Sequence, residues 1–89
     1  MYPVRFGVFL PTGDVNEAMA AALRAEHDGL YSVSTNDHFF SPLGTPQTPQ
    51  NECFTILTAI AAVTSKIRLA PAVAAASFRT PPLLAKIAA

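Results

Sequence analysis

The segment with the clearest chemical potential reads Asn-Asp-His-Phe-Phe at positions 36–40, directly after a strand-like run. Asp37 and His38 could exchange a proton with a substrate or bind a ligand together. Neighbouring side chains of an extended chain point in opposite directions, so the two need not touch. The alternative is that Asp37 caps a turn and His38 is structural. One Asp-His pair does not decide between these interpretations by its spacing.

Other reactive side chains are better explained by structural roles. His27 stands near the end of a predicted helix, where a cation is favourable. Ser32 and Ser34 lack the context of a nucleophile elbow. Cys53 opens a helix, a position that can lower a thiol pKa, but no partner histidine is identifiable, which favours an inert thiol. Arg79 could bind a phosphate or carboxylate, although an ion pair with an acid at the rim of the sheet is favoured.

Several motifs with a known chemistry are absent from the sequence. There is no Gly-x-Gly-x-x-Gly or Walker pattern, which argues against a classical dinucleotide or nucleoside-triphosphate site. There is no paired-cysteine spacing and no His-Glu-x-x-His. We therefore predict no metal site.

Hydrophobic periodicity predicts three strand–helix units that could position these residues. In the first strand, the residues that alternate with Phe6, Val8 and Leu10 are not polar enough for a solvated face, which is typical of a parallel strand buried on both faces. Short links between strand, helix and strand indicate parallel crossovers. The predicted strands are 5–10, 30–35 and 67–73, and the predicted helices are 14–28, 51–64 and a third from residue 81.

The helix ends carry recognisable signals. Asp14 and Glu17 resemble a capping box, and Gly29 suits the left-handed position that ends a helix. Thr48 or Asn51 could cap the second helix, and Thr80 precedes a first-turn proline in the third. The predicted buried stripe of the first helix is Val15, Ala18, Met19, Ala22 and Leu23, and that of the second is Phe54, Leu57, Ile60, Ala61 and Thr64.

Two features of the chain indicate a larger α/β protein. The loop 36–50 holds three prolines and a glycine and leaves the carboxyl end of a strand, where such proteins place their sites. Pro71 marks a bulge, an edge or the end of the third strand. The third unit is cut short, and three parallel strands need helices on both faces. We expect the first part of a doubly wound sheet or an eight-fold barrel.

Composition excludes several classes of protein. Of 89 residues, 51% are hydrophobic and 13% are charged, which argues against disorder, and no apolar run is long enough for a transmembrane helix. Six basic and six acidic residues leave no basic excess for nucleic acid. The start lacks the pattern of a secretory signal, and a lone cysteine suits a reducing compartment. We expect a cytoplasmic protein without nucleic-acid or membrane partners.

Four segments in order resemble the amino-terminal part of the luciferase-like monooxygenases, the bacterial-luciferase relatives that use FMN or the deazaflavin F420. The resemblance covers essentially the whole chain. It implies a TIM-like (β/α)8 barrel with its cofactor at the carboxyl ends of the strands, of which residues 1–89 would be a truncated piece of a single domain holding the first three units. The segments are 6–11, 25–33 with 37–39, 64–69 and 79–86.

The resemblance also implies roles for individual residues. Asp37 and His38 match an Asp-His pair near the cofactor ring, with His38 close to the reacting centre as the catalytic candidate. Ala72 and Val73 match a bulge that backs the ring and often contains a non-prolyl cis peptide. Arg79 matches a frequent arginine of open role. We therefore expect Asp37, His38, Ala72 and Val73 to bind the cofactor.

The expected activity is F420-dependent hydride transfer to or from a small organic substrate, with FMN-dependent monooxygenation as the alternative. Relatives often have a large apolar or aromatic residue in place of Ser34, a serine in place of Asn36 and a threonine in place of Pro71. The replacements at Ser34 and Asn36 also motivate a hypothesis from another class, a non-catalytic flavin-binding or interaction protein. An isolated 89-residue chain is expected to be inactive and to associate through exposed strand edges, and a homo-oligomer is left open.

Overall fold

The computed structural model describes residues 3–89, so Met1 and Tyr2 lie outside the described residues. The three predicted strand–helix units are confirmed, with bounds that are one or two residues shorter at most ends. The elements are β1 (Gly7–Phe9), α1 (Val15–His27), β2 (Ser32–Thr35), α2 (Cys53–Val63), β3 (Arg68–Pro71), a 3₁₀ helix (Ala76–Phe78) and α3 (Pro81–Ala88).

The three strands form one parallel sheet in the order β1-β2-β3. Val33 in the central strand pairs with Val8 on one side and with Leu69 on the other. Consecutive strands are therefore neighbours, as at the start of a TIM-like barrel. This order also begins some doubly wound sheets, whereas it differs from the flavodoxin-like order 2-1-3.

Helices α1 and α2 pack on one face of the sheet and on each other. Their apolar side chains enclose Val33, which is completely buried, together with Leu10 at the end of β1. Burial of such side chains contributes about 1.5–3 kcal/mol each. The core cluster consists of Leu10, Ala18, Ala22, Ala25, Val33, Ile56, Ile60 and Ile67.

The predicted ends of α1 are confirmed. The Asp14 side chain accepts a hydrogen bond from the backbone N–H of Glu17 at 3.0 Å, which caps the helix. Gly29 has a φ of 79°, and the N–H of Leu30 returns to the carbonyl of Ala25 at 3.0 Å. This is the glycine-terminated helix end that the sequence predicted.

The buried face of α1 is rotated relative to the predicted stripe. Ala18 and Ala22 are buried as predicted, but Ala25 completes the face. Val15 and Leu23, predicted to be buried, are 52% and 45% exposed. A row of alanines at helical spacing lets the helix approach the sheet closely. The close packing gained in this way stabilises the fold more than burial of the larger Val15 and Leu23 side chains would.

The predicted caps of α2 are wrong. The cap is Glu52, whose carboxylate accepts the backbone N–H of Thr55 at 2.8 Å. The Thr48 hydroxyl instead accepts the N–H of Thr45, and the N–H of Asn51 donates to the loop after β1. Both predicted residues are therefore used to shape the preceding loop.

The stripe of α2 is confirmed only in part. Leu57 and Ile60 are buried, whereas Ala61 is exposed and its place is taken by Cys53 and Ile56. The four buried residues follow the i, i+3, i+4, i+7 spacing of one helical face.

The expectation that β1 is buried on both faces is wrong. Gly7, Val8 and Phe9 are all exposed, and burial begins only at Leu10. The strand lies at the edge of the sheet, and α1 and α2 cover β2 and β3 instead. Phe9 also points to the sheet face that these helices do not cover, as its pairing with Ser34 requires.

Pro71 is the last residue of β3, so it marks the strand end among the alternatives considered. Thr80 precedes α3, but its side chain makes no capping hydrogen bond. Pro81 and Pro82 have no N–H to donate, which leaves little for a cap to accept. Within residues 3–89 no helix has the length and apolarity needed to cross a membrane.

Replacing Ile60 tests the core. Ile60→Ala should lower the free energy of unfolding by about 2–5 kcal/mol, because the side chain is completely buried between the helices and the sheet. Val63→Ala is the control in the same helix, since Val63 is 46% exposed. Urea unfolding followed by circular dichroism measures both, and equal losses would contradict this core.

Candidate functional site

The parallel strands bring the predicted site residues to one edge of the sheet, here called the carboxyl edge. The N–H of Leu10 donates to the carbonyl of Ser34, and the N–H of Ala72 donates to the carbonyl of Thr35, both at 2.8 Å. The segments that leave the three strands are thus held side by side. Asp37 and His38 leave β2 here, and Ala72 and Val73 leave β3.

Asp37 is buried and joins the segment after β2 to the segment after β3. Its side chain is 4% exposed. Oδ2 accepts from Nη1 of Arg79 at 2.6 Å and from the backbone N–H of Ala75 at 2.8 Å. Oδ1 accepts from Nη2 of Arg79 at 2.9 Å. Both carboxylate oxygens are therefore engaged by protein donors, and a direct contact of Asp37 with a cofactor stays a prediction.

Arg79 is the hub of this edge. Besides its two bonds to Asp37, it donates from Nη2 to Oε2 of Glu52. Its guanidinium lies over the ring of Phe54, 4.5 Å from the centroid. The predicted ion pair with an acid at the rim is confirmed, and one arginine links the ends of β2, β3 and the start of α2.

Both acids of this cluster are held in the charged form. The hydrogen bonds from Arg79 and Ala75 outweigh burial and hold the pKa of Asp37 below its usual value. Burial raises the pKa of Glu52, but the bonds from Thr55 and Arg79 prevail and its pKa is also lowered. The pKa of Arg79 is raised by the same contacts. At neutral pH the cluster therefore contains two carboxylates and one guanidinium.

His38 differs from its neighbour Asp37 in exposure and in hydrogen bonding. Its side chain is exposed at the carboxyl edge. None of the side-chain hydrogen bonds found within residues 3–89 involves its imidazole, whereas Asp37 accepts three. The adjacent residues do not form an acid–imidazole dyad, and both ring nitrogens of His38 are available to a ligand.

Ala72 and Val73 follow β3 directly. The peptide bond between them is cis, as the resemblance implied. Val73 is 83% exposed and adds an apolar side chain to the carboxyl edge. Whether these two residues contact a cofactor stays a prediction.

Two aromatic rings connect the loops above this edge. Phe39 stacks on Phe78 with 4.0 Å between the ring centroids and 21° between the planes. Phe39, Phe40 and Phe9 all remain more than half exposed. The sequence showed the aromatic pair after His38, but only the fold identifies Phe78, in the 3₁₀ helix, as its partner.

A hydrogen bond joins the two ends of the loop 36–50 just beyond β2. Nε2 of Gln50 donates to Oδ1 of the buried Asn36 at 2.7 Å. The loop after β1 is also close, because a Cβ on Gly13 would lie 3.0 Å from the carbonyl oxygen of Pro49. The end of the long loop therefore packs next to the ends of β1 and β2.

Cys53 and His27 behave as predicted from the sequence. Cys53 is 1% exposed, and burial, followed by the charges of Asp37 and Glu52, raises its pKa to about 11. It is an inert thiol at neutral pH. His27 is exposed at the end of α1, with Nδ1 3.3 Å from Asp28. Within residues 3–89 no three metal-ligating side chains group together.

Comparison with known proteins identifies the family of the chain. The family model described as luciferase-like monooxygenase matches residues 2–89. The chain belongs to the luciferase-like monooxygenase family, an oxidoreductase family whose members use flavin or F420 cofactors. A search of the curated proteins finds no match to the chain.

Removing the buried charge tests the hub. Asp37→Asn should lower the free energy of unfolding by about 3 kcal/mol, because it leaves the guanidinium of Arg79 with only Glu52 as an acid partner. Asp28→Asn is the control, since it breaks the exposed pair with Arg24 and should change stability little. Denaturant titration compares the two, and similar small effects would show that the hub is dispensable.

Acid should weaken the same contacts. Because the pKa values of Asp37 and Glu52 are lowered by folding, their contribution is complete above the unfolded values near about 4. It is lost as the pH falls through the folded values. The melting temperature should therefore drop below about pH 4 and should drop less steeply in Asp37→Asn. Parallel curves for the two proteins would exclude Asp37 as a source of this dependence.

Proposed function

We propose that this chain forms the ring-binding edge of an F420-dependent oxidoreductase that transfers hydride between the deazaflavin and a small organic substrate. FMN is the alternative cofactor. Membership of the family supports the class of reaction. The observation that carries the proposal is the exposed imidazole of His38, next to an Asp37 carboxylate that forms an ion pair with Arg79.

The residues present fit the planar ring of such a cofactor. Phe39 and Val73 offer exposed apolar surface, and His38 offers ring nitrogens that can donate or accept. Flat ligands are held by apolar contact with a few polar groups. The guanidinium of Arg79 is the cation at this edge, and it already forms ion pairs with Asp37 and Glu52. These residues therefore suit the ring of the cofactor rather than its anionic tail.

His38 is the proposed catalytic residue. When bound, the cofactor supplies the hydride chemistry, and the protein positions the reacting groups. His38 would hold or move the accompanying proton at a ring nitrogen, or orient the cofactor ring through a hydrogen bond. Asp37 would act through position, since its bonds to Arg79 and Ala75 fix the backbone from which His38 projects.

The remaining roles belong to the surroundings. Ala72 and Val73 would back the cofactor ring. Asp37 would contact the ring only while its carboxylate keeps its hydrogen bonds to Arg79 and Ala75. The stacked Phe39 and Phe78 would keep water from the ring.

The domain assignment is part of the same proposal. Residues 1–89 would be the first three units of a single (β/α)8 barrel, since the observed strand order is compatible with one. The partners would be a cofactor and a small-molecule substrate, and the location would be cytoplasmic. A homo-oligomer would be compatible with the exposed edge of β1.

Cofactor titration and one substitution test the proposal. The test uses the longer protein of which residues 1–89 are proposed to be the first part. It should quench F420 fluorescence saturably, and its dissociation constant for F420 should be lower than that for FMN. His38→Ala should lower kcat by about 10²–10⁴-fold, the usual contribution of a positioned acid or base. His27→Ala should leave kcat unchanged, because His27 is exposed at the end of α1.

The outcomes separate the alternatives. Failure to bind either cofactor would overturn the proposal. Saturable binding without turnover on a broad panel of small substrates would instead support the non-catalytic flavin-binding protein. Turnover that survives His38→Ala unchanged would remove His38 as the catalytic residue.

A further inference from the structure

A second concave region lies at the amino edge of the sheet, opposite the candidate functional site. This amino-edge groove has a volume of about 550 Å³ and lies between the starts of the three strands and the turn after α1. Its polar lining includes Arg5, Tyr31, Lys66 and Arg68, and its apolar lining includes Val4 and Phe6. Nothing in the proposed oxidoreductase chemistry uses these residues.

The groove collects basic side chains that have no acidic partner. Within residues 3–89, Arg24 and Arg79 form ion pairs, whereas the other four basic residues do not. Three of those four line the groove, and only Lys86 lies elsewhere, on α3. In a chain with equal numbers of acids and bases, this is a strong local excess of positive charge.

The acid that lines the groove is already occupied. Oε2 of Glu26 accepts the backbone N–H groups of Ser65, Lys66 and Ile67 at 2.8–3.0 Å. These bonds, with that of Lys66 the largest, hold the pKa of Glu26 below its usual value. Glu26 therefore fixes the turn before β3 and makes no ion pair with the basic side chains.

Tyr31 arranges the two guanidinium groups of the groove. The Arg5 guanidinium lies 4.6 Å from the centroid of the Tyr31 ring, and that of Arg68 lies 5.5 Å from it. Nη1 of Arg5 also donates to the Tyr31 hydroxyl at 3.2 Å. Two like charges near one ring repel each other, and an anion bound to either guanidinium would reduce the repulsion. Their remaining N–H groups have the fork geometry that suits phosphate oxygens.

We propose that the amino-edge groove binds the phosphate group of a small organic molecule. Its volume falls in the usual range for small-molecule sites and exceeds what a bare phosphate would fill. Val4 and Phe6, which are 78% and 69% exposed, supply apolar contact for the organic part. Free phosphate shares the recognised chemistry and is the other source to be distinguished. The site lies apart from the carboxyl edge and does not depend on the oxidoreductase proposal.

Titration of the whole protein with phenyl phosphate and with inorganic phosphate tests the groove. At constant ionic strength, both probes should shift amide NMR signals of residues 4–6, 29–31 and 66–68 saturably. Arg68→Gln should raise the dissociation constants of both probes about tenfold or more, because it removes charge-assisted hydrogen bonds. Lys86→Gln, which removes the unpaired charge outside the groove, should leave them unchanged.

Each outcome decides a point. Tighter binding of phenyl phosphate identifies an organic phosphate as the ligand, and equal binding identifies the free anion. Shifts that do not saturate would mean general charge screening and would overturn the proposal. An equal loss of affinity in Lys86→Gln and Arg68→Gln would overturn it for the same reason. Should Arg68→Gln fail to fold by circular dichroism, Arg5→Gln gives the same comparison, since Arg5 is exposed in the edge segment before β1.

Discussion

The ion pair between Arg79 and Asp37 is the constraint on which the carboxyl edge depends. Neither side chain is exposed by more than 10%, so removing one partner would leave a charge with little water to solvate it. Three further contacts complete the cluster: the N–H of Ala75, the carboxylate of Glu52 and the ring of Phe54. Segments that are distant in sequence thus share one electrostatic centre, and the loops around His38 gain a fixed base.

This arrangement gives different tasks to two residues that are adjacent in sequence. Asp37 points inward and its oxygens accept three hydrogen bonds, whereas His38 points outward and is exposed. The alternation of side chains along extended chain explains the difference. An Asp-His dipeptide after a strand suggests an acid–imidazole dyad. Here Asp37 instead binds Arg79 and Ala75, and the imidazole of His38 stays available to a ligand. Proton chemistry at this edge would depend on His38 and the ligand, with Asp37 acting on position.

Periodicity and capping rules predicted the order of elements, because each depends on residues close in sequence. The ends of α1 at Asp14 and Gly29 were predictable for this reason. What failed was burial, since it depends on neighbours that sequence does not reveal. Alanines replaced larger residues on the face of α1, and β1 proved exposed because it has one neighbour. Glu52 went unnoticed as a site residue because its partner Arg79 lies 27 positions away.

The two edges of the sheet differ in electrostatics although the chain has no formal net charge. At the carboxyl edge, two carboxylates share one guanidinium, so an approaching phosphate would meet net negative charge. At the amino edge, Arg5, Lys66 and Arg68 lack ion pairs within residues 3–89. The proposed ring contacts and the proposed anion site would therefore lie at opposite ends of the strands. It follows that the anionic tail of a cofactor bound at the carboxyl edge needs cations other than Arg79, and that substitutions at the amino edge should leave contacts with the ring untouched.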